Sequence, residues 1–505
     1  MKFRFVKYLS AVVLAAFTLV GCENDLNNDN NGGGEEITLR LSIFPESITV
    51  DYEAQTSFIA VTTNATEWDF VSAISWVEAS RNGDDINLVI SQNYSENTRE
   101  GEIIIFATSG SQRVEKKVLV KQFSKEESEN GNNDDFVCPV FESLMLSNYD
   151  SNGDGRISET EAARVTEIDV AFTESDAEER EYITSLKGIK RFKNLQYLYC
   201  ENNLILDLDL SGMEKLELVD CYYNDMVSLN VSNCPSLKWV YCYSNNLTDV
   251  NISGSNNIVI FQAYQNKLKT LDVSGLKELV YFDVRLNNLR DVEFSNCPKL
   301  QVAAIGTNNL ISLNLEGLPS LYTLGCYENN IASLDVSKLA NLEMLECYTN
   351  NIASLDLSAN TKLTALTCQR NMLTSLNIEN CKSLAKIDCS NNFLEGVADF
   401  SKFTALKKLY CGGNRYTSIS VNACALLEDL SCENTQITAL EVSSLSLLKS
   451  LIANDCLISK MDCSNNLKLN TLHLQGNPLT ELILAEDQSI ADLKLDNHDV
   501  IIRKK

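Results

Sequence analysis

Between Asp150 and Glu161 the chain spaces hard oxygen donors along one short loop: Asp150, Asn152 and Asp154, then Ser158 and Glu161. Carboxylate, amide and hydroxyl oxygens at this spacing suit a hard divalent cation. Each position has a chemical reason. Asp150, Asn152 and Asp154 supply side-chain oxygens, Gly155 permits a sharp turn, and the Arg156 carbonyl is a backbone ligand. Ser158 acts directly or through water, and Glu161 closes the cage with two oxygens. The cofactor this implies is Ca2+.

Other chemistry is sparse. His473 and His498 are the only histidines, and neither stands in a cysteine or carboxylate arrangement that suggests a triad or a zinc site. No phosphate-binding glycine loop occurs. Glycoside hydrolysis needs a cleft with two carboxyl groups at defined separation, and a repeat sheet offers none obvious. The expectation is a binder and not an enzyme.

The loop matches the EF-hand calcium loop at every defining position. That resemblance implies paired helices, with Phe141, Leu144 and Met145 before the loop and Ala162, Val165 and Ile168 after it. One copy is present, where such hands usually come in pairs. The next stretch, YITSLKGIKRFKNL (182–195), resembles the entry repeat of internalin-type leucine-rich repeats. Those proteins begin with a helical cap shaped like a truncated EF-hand. Residues 136–182 are therefore expected to seal the open apolar end of the first repeat, with calcium stabilising the seal.

From Leu195 to Leu484 one pattern returns every 21 residues, as in LEMLECYTNNIASLDLS from Leu342 to Ser358. Only the step from Leu384 to Leu406 is 22. A strict short period makes each copy a unit that buries its apolar side against its neighbours. The resemblance to leucine-rich repeats covers 183–505 and implies a solenoid with a parallel sheet on its concave face. Positions 1, 4, 6, 11, 14 and 16 point inward. Position 9 is asparagine in most copies, including Asn245, Asn308 and Asn350, and Thr435 and Cys456 interrupt it. In this family the amide bonds the backbone of neighbouring turns, a structural role. Nine of the seventeen cysteines hold position 6, from Cys200 to Cys432, where in-register side chains point the same way and not at one another. Reduced, buried thiols are expected there.

Positions 3, 5 and 7 of each strand face outward. Fourteen strands about 4.8 Å apart give a face roughly 60–65 Å long. Ten of the eighteen tyrosines lie on it: Tyr197, Tyr199, Tyr222, Tyr241, Tyr243, Tyr264, Tyr281, Tyr327, Tyr348 and Tyr410. Trp239 joins them, and Glu201, Asp220 and Asp283 interleave. An aromatic patch where polar residues would serve signals a binding surface; the plainer reading is cross-strand stacking. Crowding into the first half of the sheet favours binding, and Trp239 with all of these tyrosines except Tyr410 forms the candidate ligand set. Arg370, Lys386, Lys407, Lys408 and Arg415 make a more basic stretch that reads as a solvated face.

The N-terminus reads as an export signal. Lys2, Arg4 and Lys7 precede LSAVVLAAFTLV, too short for a membrane span. Leu19-Val20-Gly21-Cys22 resembles the lipobox of bacterial lipoproteins, which implies cleavage of 1–22 and a lipid anchor on Cys22. Residues 23–36 read as a flexible tether, whose acids resemble the surface-export signals of gut Bacteroidetes lipoproteins.

Residues 37–124 read as a small all-β sandwich. Trp68, ISWVEAS with Trp76, SQNYSENTREGEIIIFATS and VKQFS resemble the BACON domain of Bacteroidetes, most specifically in Trp76, Asn93, Arg99, Gly101 and Gln122. That resemblance implies an immunoglobulin-like sandwich proposed to bind carbohydrate or mucin, with Trp68 and Trp76 as sugar platforms; core tryptophans of a spacer are the commoner case. Residues 125–135 are a charged linker.

The formal charge over 505 residues is -27, and nearer -30 without the basic residues of 1–22. A surface that acidic argues against nucleic acid as a partner. The sequence thus points to a monomeric outer-membrane lipoprotein, surface-exposed, that binds protein through its repeats. Glycan or mucin capture, or a surface scaffold without a discrete ligand, are the alternatives.

Overall fold

The computed structural model describes residues 39–50, 52–125, 133, 135–151, 153, 155–173, 181–496 and 500–505. The export segment, Cys22 and the tether lie outside the described residues, as do Asn152, Asp154 and His498. The chain divides into two compact units, 1–216 with 229–234, and 217–228 with 235–505.

In the first unit, β1 (Leu41–Phe44), β3 (Gln55–Thr63), β6 (Asp85–Ile90) and β5 (Val77–Asn82) form one sheet in that order. The other sheet is β2 (Ser47–Val50), β8 (Gln112–Gln122), β7 (Arg99–Ser109) and β4 (Glu67–Ser72). Alternation decides which face is buried. In β6, Ile86, Leu88 and Ile90 are fully buried while Asn87 and Val89 turn outward. They share one core with Ile59, Ile103, Ile105, Val118 and Val120 from both sheets. This is the two-sheet sandwich that the segment pattern predicts.

After the linker, α1 (Pro139–Tyr149) starts at a proline, whose missing N–H costs nothing in a first turn. It buries Phe141 and Met145, and Leu144 is half-buried. The expected second helix is reduced to one turn, α2 (Glu159–Ala162), opened by a capping box between Ser158 and Glu161. Ile168 is not helical. It lies in the strand Glu167–Asp169, which pairs in parallel with Tyr197–Tyr199. The reason is local: the β-branched run TEIDV alternates buried and open residues, and a sheet edge is there to pair with. The first repeat grips this segment. Arg191 donates to the Ile157 carbonyl (2.9 Å), Asn194 to that of Ala163 (2.8 Å), and the Tyr149 hydroxyl to that of Glu167 (2.9 Å).

The second unit carries a parallel sheet from Leu218–Asp220 to Asp492–Lys494, built of three-residue strands. Equivalent residues pair across turns, so Leu324, Leu345 and Leu366 form one fully buried column. Cys326, Cys347 and Cys368 form another and carry free thiols. Burial pushes the Cys347 and Cys368 thiols far above the ordinary range.

Position 9 has the predicted use. Asn308 accepts the Leu289 N–H (3.0 Å) and donates to the carbonyls of Val284 (3.0 Å) and Ile305 (3.1 Å). The residue before each asparagine is left-handed, with φ of 55° at Thr307 and 51° at Glu328, which turns the amide inward. At the two breaks, Thr435 Oγ1 donates to the Cys432 carbonyl (2.8 Å) and Cys456 Sγ reaches the same oxygen (3.4 Å). A second ladder escaped the sequence reading. At position 19, Cys297, Cys381 and Cys424 reach carbonyls 24 residues back, as Asn360 and Asn466 do.

Replacing Asn308 by alanine strands the buried Leu289 N–H, while the Val284 and Ile305 carbonyls keep Asn287 and Asn329, so Asn308→Ala should lower unfolding free energy by about 2 kcal/mol. Urea denaturation reads this directly; a change within error would refute the bridging role.

Candidate functional site

Position 7 builds a column along the sheet. Tyr222, Tyr243 and Tyr264 stack with ring centroids 4.5 and 4.4 Å apart and planes 6° and 7° off parallel. Strand spacing imposes that distance, and a slight offset makes it favourable. Arg285 follows, its guanidinium 5.8 Å from the Tyr264 ring. Its Nε and Nη2 donate to Asp283 at 2.9 and 2.7 Å. Next comes Gly306, over which Tyr327 leans: a Cβ there would lie 2.6 Å from the ring. Arg285 and Tyr327 act on each other electrostatically across this gap. Tyr327 and Tyr348 then stack at 4.6 Å and 4°.

Tyr223 completes the patch and was missed in the sequence, because it stands at position 8. It is 56% exposed and meets Tyr222 and Tyr243 edge-on, at 5.4 and 6.0 Å. Arg285 was also missed, although its position-7 register was the available signal.

The remaining predicted ligand residues differ from one another. Trp239 is half-buried beside Lys238. Tyr241 and Tyr281 are only 3% and 4% exposed, so their rings fill space between neighbours instead of presenting a surface. In the first unit Tyr199 is likewise buried and Tyr197 half-buried. Asp220 is fully buried. In the basic stretch Lys408 pairs with Asp429 at 3.0 Å and Arg415 covers Phe393 at 5.0 Å, which leaves a solvated face.

Burial raises the phenols of Tyr243 and Tyr348, and pushes that of Tyr264 up to about 12. A phenol whose folded pKa is raised contributes stability that is complete below its unfolded value near 10 and is lost as pH rises through the folded one. Stability should therefore fall as pH rises from about 10 towards about 12. Tyr264→Phe, which keeps the ring, should fall less steeply in urea midpoints measured across that range.

In the first unit, both oxygens of Glu161 are engaged. Oε1 accepts from Ser151 N–H (2.7 Å) and hydroxyl (2.8 Å), and Oε2 from Ser158 N–H (2.9 Å) and hydroxyl (2.8 Å). These donors, the Ser158 N–H foremost, hold the Glu161 carboxyl down at about 2. Asp150 accepts the amides of Gly153 (2.7 Å) and Gly155 (2.8 Å), and the Arg156 carbonyl follows in the same loop. The loop is thus curled so that Glu161, its last carboxylate, is bonded to Ser151, the residue next to Asp150, its first. Among the described residues no group of three His, Cys, Asp or Glu side chains is disposed around one metal point. Asn152 and Asp154 stand outside that description.

In the sandwich, Trp76, Arg99 and Gln122 are tied to one another. Arg99 lies over Trp76 at 4.5 Å and donates to Gln122 Oε1 at 2.9 and 2.6 Å. Gln122 donates to the Tyr52 and Glu53 carbonyls, and Asn93 to that of Phe123. Gly101 has Ile74 where a Cβ would stand. Trp68 is 8% exposed with Arg81 stacked on it at 3.8 Å. Both indole faces meet guanidinium groups within the domain.

His473 does have a carboxylate partner: its Nε2 lies 2.7 Å from Asp492 Oδ2, on the adjacent strand. The pairing arises from register between turns, which spacing alone did not suggest. No hydroxyl or thiol joins the pair among the described residues.

No protein-family model and no curated relative matches the sequence. Solved structures do. The functional domain of InlJ from Listeria monocytogenes, which includes a cysteine ladder, is 26% identical with a TM-score of 0.56, over 65% of this chain and 71% of that one. YopM, a leucine-rich effector protein from Yersinia pestis, is 23% identical with a TM-score of 0.51, over 60% of this chain and 83% of that one. The second likeness is one of fold alone. The repeat domain has the leucine-rich repeat solenoid fold.

Proposed function

We propose that the repeat sheet binds a protein ligand through the strip formed by Tyr222, Tyr223, Trp239, Tyr243, Tyr264, Tyr327 and Tyr348. The observation that carries this reading is the half-buried stack with Tyr223 open at its edge. Aromatic rings that keep one face or edge available are the usual anchors of protein interfaces. The likeness to InlJ supports the repeat architecture that carries this face. Glycan capture by Trp68 and Trp76 is disfavoured, since arginines already cover both rings.

The test is capture of cell-surface proteins from gut mucus by the full chain, against a variant with Tyr222, Tyr243 and Trp239 all changed to alanine. Loss of the captured protein with an unchanged melting curve for the sandwich supports the reading. Capture that survives the triple change, or that needs only residues 37–124, overturns it in favour of a glycan or scaffold role.

The accompanying proposal is a lipoprotein anchored at Cys22 to the outer membrane, with 136–182 as a calcium-stabilised cap. Asp150, Asn152, Asp154, the Arg156 carbonyl, Ser158 and Glu161 would hold the ion. The curled loop is compatible with that, because the Glu161 oxygens are held by weak neutral donors that a divalent cation can displace. Saturating calcium should raise the melting temperature by several degrees over chelator, and Glu161→Gln should erase the difference. Identical melts with calcium and with chelator would end the capping idea.

A further inference from the structure

Position 8 of each turn follows the strand and is left-handed, and its occupants in the second unit are polar or glycine with two exceptions, Tyr223 and Leu286. Leu286 holds φ at 57° and is 47% exposed. A bulky aliphatic residue is strained in that conformation, whereas asparagine tolerates it and serves at Asn391 and Asn434. An exposed side chain gains no packing that would offset the strain. Leu286 also borders the aromatic strip, because the residue before it is Arg285, whose guanidinium lies beside Tyr264.

The charges around Leu286 depart from the pattern of the fold as well. Cations 21 residues from an acid pair with it across the turns: Lys238 with Glu217, Lys299 with Glu278, Lys449 with Glu428. Lys269 and Arg290 are also 21 residues apart, yet both are basic, and the Arg290 N–H donates to the Lys269 carbonyl at 2.9 Å. Like charges held one strand spacing apart, about 4.8 Å, repel. Lys267 adds a third charge, one turn before Asn288. All three cations are exposed, and none forms an ion pair or side-chain hydrogen bond among the described residues, although Asp291 follows Arg290 in sequence. In a chain of 69 acids and 42 bases, acids to neutralise them were plentiful. The column of Lys269 and Arg290 continues to Ile311, which is 69% exposed.

We propose that Lys267, Lys269, Leu286, Arg290 and Ile311 form a rim site for an acidic segment of the protein partner that also carries apolar side chains. The three unpaired cations meet its carboxylates, and the two aliphatic residues meet its apolar groups. A sulfated glycan would satisfy the cations but leave Leu286 and Ile311 without a use, so the apolar pair decides for a peptide. This rests on the reading that the repeat sheet binds protein, and it names the charge and the side chains that such a protein presents.

The probe is a short fluorescein-labelled peptide in which leucines alternate with glutamate–aspartate pairs. Its controls are the glutamine–asparagine counterpart and an acidic peptide with serine for leucine. Anisotropy should show saturable binding by the full chain at low salt, roughly tenfold weaker for either control and several-fold weaker when salt is raised from about 0.05 to about 0.3 M. Lys269→Glu combined with Arg290→Glu should abolish binding. Leu286→Asn should weaken it roughly tenfold while keeping or raising the melting temperature, because asparagine suits the left-handed backbone. A lower melting temperature for that variant would make Leu286 a structural residue and remove it from the site.

No salt-dependent binding by wild type, or equal binding of the serine peptide, overturns the proposal. If dextran sulfate binds and the acidic leucine peptide does not, the rim is a polyanion site and the peptide assignment is wrong. If the variant of Tyr222, Tyr243 and Trp239 loses partner capture while the rim variants keep it, the rim alone has failed. If capture ignores the aromatic residues, the protein-binding reading has failed, whatever the peptide does.

Discussion

Each turn of the repeat domain leaves backbone groups facing its interior that an asparagine of the following turn satisfies. A buried N–H or carbonyl without a partner costs on the order of 1–3 kcal/mol, and the debt recurs with every turn. Asn245, Asn266, Asn287 and Asn308 each accept one amide 19 residues back and donate to one carbonyl 24 residues back. That geometry locks the register of the sheet more tightly than hydrophobic contact, which is non-directional. The 22-residue step proves the point by its accommodation. There Asn414 reaches 20 and 25 residues back, and the strands Glu395–Asp399 and Arg415–Ser420 shift register to absorb the extra residue. The bonds are kept and the backbone bends.

Fixed register has a consequence on the outer face. Residues at equal positions must stand one strand spacing apart, so a column of tyrosines has to stack. Such contacts contribute about 0.5–1.5 kcal/mol each beyond the area they bury, enough to explain Tyr222, Tyr243 and Tyr264 as a stabilising device alone. The exposed edge of Tyr223 and the partnerless Oε2 of Glu346 do not fit that explanation. Stacking stability alone accounts for neither. Asp283 and Glu346 make the contrast within one fold: the same position, both buried, one acid paired with an arginine of its own chain and one with an oxygen that accepts no hydrogen bond.

The N-terminal unit follows other rules. Its sandwich is held by alternation and by a small polar network in which Arg99 touches Trp76 and Gln122 at once. Residues that look like ligand platforms in a one-dimensional pattern turn out to be braces. In the helical segment the short second helix was not legible, because Ile168 had a sheet edge to join that no local pattern reveals.

By itself the sequence determined the period, the inward columns, the role of the asparagines and the burial of the cysteines. These depend on periodicity and on residue type, which are properties of the chain read in order. Tertiary structure alone decided which outward residues are surface. Tyr241 and Tyr281 are hidden while Tyr222 and Tyr243 are not, because exposure depends on the bulk of neighbours one turn away on either side. It also decided the pairing of His473 with Asp492, the reach of Arg285 to Tyr327 over Gly306, and the isolation of Glu346. Each is a relation across strands, set by the size of side chains that register brings together and written in no single repeat.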